Sequence, residues 1–324
     1  MTGPQVVALG EVMLRLSASG GAGLEETPSL DVFVGGAEAN AAVALARLGR
    51  RVDVISRVGG GPHGRRVIAH LRRHGVGTDR IVVDEDRRTG VYFTEVGEPP
   101  RGVSVVYDRA DSAATGLGPD DIVAGSLDGV SVALVSGITP ALGASCRAAT
   151  ERFVEVAVDA GAMVVLDVNH RERLWSAATA AEVLEPLCRA AHTVLCTSED
   201  ARHLFGVDGS AGDRALALSE RFGGPVVVTD GAEGVAWALT ADAQPGWSPS
   251  IPTGTVDRIG AGDAFCAGVV DGLLDGDLVT GVRRGQAMAS LKRTVAGDCF
   301  LGRRDDVDRV LAEVDGSGGR SVRR

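Results

Sequence analysis

The sequence predicts an α/β fold, a doubly wound and mainly parallel β-sheet flanked by helices, with a small antiparallel β-lid. From residue 111 onward, apolar strand candidates alternate with helical stretches, a pattern typical of parallel sheets with helical crossovers. The predicted strands span residues 130–135, 163–167, 193–196 and 226–229. The predicted helices span residues 143–160, 178–190, 200–204 and 213–222. Ligands of such sheets gather at the carboxyl ends of the strands.

The lid is predicted from two segments that lack this alternation. Residues 91–96 and 103–107 read as a strand pair joined by a turn that contains two prolines, with no helix between them. Together with residues 11–34, they would form a small antiparallel sheet separate from the main one. We therefore expect one domain of residues 1–314, with lid strands inserted at about 11–35 and 88–109. The tail, residues 315–324, lacks core residues and is predicted to be disordered.

The first third of the chain supplies the remaining elements. Alanine-rich residues 37–48 have helical spacing, and Gly49 ends this helix. A second helix follows the glycine-rich segment 59–64 and ends at Gly75. The predicted strands span residues 6–9, 12–16, 30–34 and 51–58.

Composition narrows the class of protein. The 324 residues carry a net charge of −10 with a pI near 5.1, which argues against a nucleic-acid binder. No apolar stretch is long enough to span a membrane, and Glu11 interrupts the apolar start, so no signal peptide is predicted. The five scattered cysteines include no CxxC pair and indicate reduced core residues of a cytoplasmic protein.

Residues 255–271 form the stretch around which the chain is organised. An extended run ending at Val256 leads to a turn of small residues, Gly260, Ala261 and Gly262, and Asp263 opens an apolar helix. The free N–H groups at a helix start bind anions such as phosphate. Asp263 beside them suits a general base for an acceptor hydroxyl. The alternative is that Asp263 only caps the helix, although a cap would not require three small residues before it.

Polar residues also follow other predicted strands. Asp167, Asn169 and Arg171 lie at the end of strand 163–167, and Thr229 ends strand 226–229. Gly231 and Gly234 follow Thr229 and would suit either a nucleotide phosphate or a plain turn. In the lid, Tyr107 and Arg109 lie at the end of the second strand. Considered by itself, Arg109 is expected to be a solvated surface cation.

Two further patterns match known ligand-binding motifs, but we interpret neither as a ligand site. Gly59–Gly64 matches GxGxxG, but it follows the second strand–helix unit, and Pro62 removes an N–H that a dinucleotide would need. His70 and His74 share a helix face without an evident third ligand. We expect a solvated face there rather than a metal site.

Taken together, these segments resemble the ribokinase-type (PfkB) carbohydrate kinases. Gly35 and Gly36 followed by AEAN resemble the first signature of that family, residues 257–265 the second, and Thr229–Gly234 its nucleotide loop. Within the family, the chain looks most like 2-keto-3-deoxygluconate kinases. The segments that carry this likeness are GGAEAN (35–40), VVYDRADSA (105–113), SGITP (136–140), DVNHRERLW (167–175), DRIGAGDAF (257–265) and LKRTVAGDCF (291–300).

The resemblance implies a ribokinase-like fold and ATP-dependent, Mg²⁺-assisted phosphorylation of a terminal hydroxyl on a keto-deoxy sugar acid. Asp263 would take the hydroxyl proton, and the N–H groups of Gly260, Ala261 and Gly262 would stabilise the transferring phosphoryl group. The implied substrate-binding residues are Gly35, Gly36, Asn40, Tyr92, Tyr107, Arg109, Arg171 and Asp298. The implied nucleotide-binding residues are Asn169, Thr197, Thr229, Gly231, Gly234 and Gly262, with Asp200 an outer-sphere Mg²⁺ residue.

Electrostatics agree with an acidic substrate, because two arginines directed into the cleft of an acidic protein suit a carboxylate. The chain departs from the family pattern at Arg15, His170, Thr197 and Arg258. The alternatives are another sugar kinase, acting on fructose or a related ketose, and a catalytically silent sugar-acid-binding regulator. An exposed lid edge also predicts a homo-oligomer that pairs through the lid.

Overall fold

The structure, a computed structural model, describes residues 5–97 and 101–316. The two prolines of the predicted lid turn and residues 317–324 of the predicted tail lie outside the described residues. The strands are β1 Val6–Leu9, β2 Met13–Ala18, β3 Leu30–Gly35, β4 Val52–Gly59, β5 Ile81–Asp84, β6 Val91–Val96, β7 Val103–Asp108, β8 Val132–Ser136, β9 Met163–Asp167, β10 Thr193–Thr197, β11 Val226–Thr229, β12 Gly234–Ala238 and β13 Gly246–Pro249.

Helices alternate with many of these strands as predicted. The α-helices are α1 Ala37–Arg47, α2 Pro62–Arg73, α3 Ile138–Ala141, α4 Ala144–Asp159, α5 Ala177–Ala190, α6 Ser198–Phe205, α7 Ala211–Phe222, α8 Ala261–Leu274, α9 Leu278–Arg293 and α10 Arg304–Val314. In the described residues, α8, α9 and α10 follow one another without a strand between them, and α9 and α10 were not predicted. None of the helices in the described part of the chain is both long and apolar enough to cross a membrane.

The main sheet has nine strands in the order β13-β12-β11-β10-β9-β8-β1-β4-β5. All neighbours pair in parallel except the β11–β12 and β12–β13 pairs. Buried apolar clusters lie on both faces, one including Leu45 of α1 and Val270 of α8, the other Phe153 of α4 and Leu184 of α5. The fold prediction is confirmed.

Close packing of α8 against α9 fixes the helix that begins at the glycine turn. A Cβ atom on Gly268 would collide with the backbone of Gly285, and one on Gly272 would collide with Gly281. Four glycines therefore allow the two helix backbones to approach each other closely. This contact holds α8 rigidly beneath the sheet edge where its first turn lies.

The lid is a four-stranded sheet in the order β3-β2-β6-β7. The β2–β3 and β6–β7 pairs are antiparallel, as predicted. The central pair is parallel, with Leu14 opposite Val91, because β2 and β6 belong to separate insertions that leave the main sheet in the same direction. The lid is therefore formed as expected, with one parallel pair at its centre.

Three further local features differ from the sequence prediction. The short edge strand β5 and the β12–β13 hairpin were not predicted, because both are short and partly exposed. The predicted extended run ending at Val256 is not a strand. Instead, the N–H groups of Val256 and Asp257 donate to the carbonyl of Arg293 at the end of α9.

Candidate active site

A cavity of about 540 Å³ lies between the carboxyl ends of the main-sheet strands and the lid. It brings together residues from α1, both lid hairpins, the ends of β9, β10 and β11, and the first turn of α8. Most of the residues predicted for the site line it: Gly36, Asn40, Tyr92, Tyr107, Arg109, Asn169, Arg171, Thr197, Asp200, Thr229, Gly260, Gly262, Asp263 and Asp298.

Four predicted residues do not line this cavity: Gly35, Ala261, Gly231 and Gly234. Gly35 is buried behind the wall, where a Cβ atom would collide with the Tyr92 hydroxyl and crowd the Asp298 carboxylate. Gly231 takes a positive φ of 57° in the turn before β12, and Gly234 begins that strand. Gly35 and Gly234 therefore allow close packing, whereas Gly231 provides the left-handed backbone of the turn.

The glycine turn needs Gly260 for two reasons. Its φ is 84°, in the left-handed region, and a Cβ atom there would collide with the carbonyl of Asp298. No side chain caps the start of α8, so the interpretation of Asp263 as a mere helix cap is wrong. Gly260 and Gly262 line the cavity, whereas the N–H of Ala261 donates to the carbonyl of Arg258, so Ala261 does not supply the free N–H that was predicted.

Asp263 is half-buried in the cavity floor and accepts a hydrogen bond from Nδ2 of Asn40 over 2.7 Å. Burial raises the pKa of its carboxyl group to about 6, while the Asn40 hydrogen bond and Arg171 act in the opposite direction. A carboxylate with this pKa is ionised at neutral pH and remains basic enough to accept a proton.

Two further carboxylates surround Asp263, and sequence reasoning assigned neither a role. Burial, followed by the charge of Asp263, raises the pKa of Asp167 to about 8. Glu38 is fully buried and accepts hydrogen bonds from the N–H and hydroxyl of Ser136 and the hydroxyl of Thr139. Asp167 was recognisable from its place at a strand end, whereas the role of Glu38 in joining α1 to β8 depends on the tertiary structure.

The cavity also contains three arginines in different states. Arg109 is buried and paired with Glu11, whose Oε2 accepts from Nε over 2.8 Å and also from Nη2. Arg171 and Arg258 are exposed to the cavity, and their side chains form no hydrogen bond or ion pair with any described residue. The guanidinium groups not held in a direct ion pair with a described residue are therefore those of Arg171 and Arg258, and Glu11 is a site residue that sequence reasoning missed.

On the lid side, a buried network joins Tyr92 to the glycine turn. The Tyr92 hydroxyl donates a short hydrogen bond to Asp298, which also pairs with Arg15 over 2.9 Å. Arg15 pairs in turn with Asp257 over 2.7 Å, and Asp257 accepts from the N–H of Ile259. Arg15, a departure from the family pattern, is thus a buried link between the lid and the turn.

At the other end of the cavity, Thr197 and Asp200 form a reciprocal cap at the start of α6. The N–H of Asp200 donates to the Thr197 hydroxyl over 2.9 Å, and the N–H of Thr197 donates to the Asp200 carboxylate over 3.2 Å. Asn169 has a φ of 40°, a strained backbone that directs residues 169–171 along the cavity wall. His170 also lines it and contacts the carbonyl of Trp175.

The donor set fits a magnesium ion that arrives with a nucleotide. Among residues 5–97 and 101–316, no group of three or more His, Cys, Asp or Glu side chains could hold a metal by itself. Mg²⁺ bound to phosphates takes most of its ligands from phosphate oxygens and water, with only one or two carboxylates from the protein. Asp167 at the end of β9 and Asp200 in the first turn of α6 would supply these.

The glycine-rich segment 59–64 lies outside this cavity. A Cβ atom on Gly64 would collide with the carbonyl of Gly59, so these glycines allow α2 to pack closely on the end of β4. Pro62 occupies the first position of α2, where its missing N–H has no cost. The match to a dinucleotide fingerprint reflects strand–helix packing.

The doubly wound sheet, the lid and an aspartate at a helix start define the class of small-molecule kinases. The chain belongs to the pfkB family of carbohydrate kinases, whose family model matches residues 4–302, so that prediction is confirmed. A 2-dehydro-3-deoxygalactonokinase of Haloferax volcanii is 38% identical over 96% of this chain and 98% of its own length.

Two other similar proteins are also named as kinases of deoxy sugar acids. A 5-dehydro-2-deoxygluconokinase of Shouchella clausii is 32% identical over 88% of each chain. The crystal structure of a 2-dehydro-3-deoxygluconokinase from Thermotoga maritima has a TM-score of 0.88 and 31% identity, covering 96% of this chain and 98% of its own.

Proposed function

We propose that this protein transfers the γ-phosphoryl group of ATP to the terminal hydroxyl of a 2-keto-3-deoxy sugar acid. The observation that carries this proposal is the placement of Asp263 at an uncapped helix start, in a cavity that also contains unpaired arginines. The names of the similar proteins support a sugar acid as the class of acceptor.

In the proposed reaction, Asp263 accepts the proton of the acceptor hydroxyl as its oxygen forms a bond to the γ-phosphorus. The bond between that phosphorus and the β–γ bridging oxygen breaks, and ADP leaves with the electron pair. Asn40 holds the Asp263 carboxylate in position through one oxygen, which leaves the other free for the hydroxyl. The partly buried site keeps this carboxylate basic enough to accept the proton.

Charge on the transferring group would be stabilised by the N–H groups of Gly260 and Gly262, whereas the N–H of Ala261 already donates to the carbonyl of Arg258. These groups are fixed before the reaction, since Gly260 packs against Asp298 and α8 packs against α9. Fixed dipoles lose no energy to reorganisation during the chemical step. Mg²⁺ bound near Asp200 and Asp167 would neutralise phosphate charge on ATP.

The substrate carboxylate would bind at Arg171, with Arg258 and the lid residues Tyr107 and Arg109 around it. Arg171 is a better partner than Arg109, because its guanidinium forms no direct ion pair with a described residue, whereas Arg109 is already paired with Glu11. A guanidinium group binds a carboxylate through two parallel hydrogen bonds. Tyr92 and Asp298 would contact the sugar hydroxyls, and Asn169, Thr197 and Thr229 would contact the nucleotide.

A substrate panel tests the proposal directly. ATP-dependent phosphorylation should be measured on 2-keto-3-deoxygluconate, 2-keto-3-deoxygalactonate, 5-keto-2-deoxygluconate and fructose. We expect kcat/KM for at least one 2-keto-3-deoxy acid to exceed that for fructose by about 100-fold, since an unpaired guanidinium rejects a neutral ligand. Equal activity on fructose would contradict the proposal. Sugar-acid binding without any ATP turnover would favour the silent regulator.

The exposed lid edge supports a homo-oligomer as a further part of the proposal. The side chains of Val106 and Tyr107 on β7 are 50% and 39% exposed, and an apolar groove that includes Phe93 and Leu24 lies beside them. Light scattering on the wild type and on Val106→Lys would test it, with a monomeric variant expected. All five cysteines are unpaired and buried, which supports a cytoplasmic location.

A further inference from the structure

A second cavity, of about 530 Å³, lies on the opposite side of residues 296–299 from the candidate active site. One wall is helix α2, which presents Arg66, His70, Arg73 and His74 to the cavity. The spacing i, i+4, i+7, i+8 places these four side chains on one face of the helix. The other wall is apolar and is formed by Val32, Phe33 and Val34 of the lid strand β3.

The charge of this cavity is positive in a protein whose net charge is −10. Arg73 has no hydrogen-bond or ion-pair partner in the described part of the chain, and Arg66 contacts only the carbonyl of Val32. Burial, with smaller contributions from His74, Arg73 and Arg66, lowers the pKa of His70 to about 4. The only acidic residue in the wall, Asp298, is already paired with Arg15.

The prediction of a solvated histidine face is therefore wrong, because His70 and His74 are both half-buried, and their rings lie in tilted contact with centroids 4.7 Å apart. Packing of β3 and residues 296–301 against α2 covers this face. The two histidines therefore contact residues distant in sequence, which the spacing within α2 could not indicate.

A chain of side chains connects this second cavity to Asp263. His70 Nε2 lies 3.6 Å from the Sγ atom of Cys299, which lies 3.5 Å from Oδ1 of Asn40. Nδ2 of the same Asn40 amide donates to Asp263. The Cys299 thiol has one proton, which it can donate to His70, to Asn40 or, over 3.9 Å, to the carbonyl of Val34. Burial raises the pKa of this thiol well above its ordinary value, so it remains a donor.

We propose that the second cavity binds a small organic anion, a phosphate ester that also carries a carboxylate, and that binding alters the activity of Asp263 through Cys299 and Asn40. Arg66 and Arg73 would bind the two anionic groups, and the apolar β3 wall would cover the carbon skeleton. An anion beside His70 changes how strongly its ring accepts from Cys299. That change redirects the thiol proton and shifts the Asn40 amide that orients the base.

Binding is tested with 3-phosphoglycerate as the probe, by its effect on Tm at constant ionic strength. A ligand that binds only the native state raises Tm with concentration. We expect the rise in the wild type and in Arg65→Gln/Arg72→Gln, which neutralises two arginines of the same helix outside the cavity. In Arg66→Gln/Arg73→Gln, affinity should fall by about 100-fold, since each charge-assisted hydrogen bond contributes roughly a factor of ten. Equal shifts in both double variants, or none in the wild type, would overturn the site.

The connection to Asp263 rests on the proposed function and has its own test. With saturating ATP and sugar acid, kcat of the wild type should change with 3-phosphoglycerate by about twofold or more, a coupling of the size common between distant sites. Cys299→Ala should still bind the probe but lose this response, and Cys299→Ser should keep it. A response unchanged in Cys299→Ala would overturn the connection. If the wild type has no kinase activity, the proposed function and the connection that rests on it both fail, whereas the Tm experiment still decides whether the second cavity binds the anion.

Discussion

Asn40 of α1 donates a hydrogen bond to the Asp263 carboxylate at the start of α8 over 2.7 Å, although 223 residues separate them. This bond joins the first glycine segment of the chain to the glycine turn near its end. Because Asn40 is buried and its other amide atom faces Cys299, the carboxylate orientation is set by the core. The first two predictions concern this carboxylate.

Asp263→Asn should lower kcat by about 10²- to 10⁴-fold, the range attributed to a positioned general base. The amide has the size of the carboxylate but cannot accept the hydroxyl proton. Steady-state kinetics with the preferred sugar acid would measure the loss, and Asp120→Asn, an exposed residue outside the cavity, is the matched control. Turnover that survives in Asp263→Asn would show that Asp263 is not the base.

The pH dependence of stability should follow from the raised pKa of Asp263, about 6 compared with an ordinary value of 3.8. Since the folded pKa is the higher one, the native state binds this proton more tightly. Its contribution to stability is complete below about pH 4 and is lost as pH rises through 6. Urea unfolding should therefore find Asp263→Asn more stable than wild type at pH 8, with the difference smallest at pH 4. An advantage that is unchanged across this range would contradict the assignment.

Arg171→Gln should change substrate preference more than overall activity. Loss of a charge-assisted hydrogen bond, about 1.5–3 kcal/mol, should raise KM for the sugar acid by about 10- to 100-fold. Activity on fructose, which has no carboxylate, should change little. Arg152→Gln removes the same charge from the surface of α4 and serves as control. An equal loss on both substrates would show that Arg171 does not bind the carboxylate.

Arg15→Met should destabilise the fold by about 3–5 kcal/mol, because it leaves two buried carboxylates, Asp257 and Asp298, without their cation. Both the lid contact and the glycine turn depend on this arginine. Urea unfolding would measure the change. Arg309→Met breaks the surface pair with Asp306 and should cost less than about 1 kcal/mol. Equal effects of the two variants would contradict the role of Arg15 as a buried link.

Much of the fold could be read from the sequence because its strands are short apolar runs separated by amphipathic helices. Strands Met163–Asp167 and Val226–Thr229 were predicted to the residue. Buried parallel strands need apolar residues on both faces, and this leaves a strong local pattern. The edge strand β5 and the β12–β13 hairpin leave a weaker one, since they are partly exposed and their pairing depends on neighbours distant in sequence.

The residues of the candidate site also fall into those that the sequence predicted and those that only the tertiary structure revealed. The glycine turn and Asp263 were recognisable from sequence, because a backbone that approaches a ligand needs small residues in consecutive positions. Tertiary structure alone decided that Glu11 neutralises Arg109, that Arg15 is enclosed between two aspartates, and that Arg171 stays unpaired. Charge balance depends on which side chains meet across elements separated by tens to hundreds of residues. Local spacing determines the type of chemistry, whereas long-range packing determines which charges remain available to a ligand.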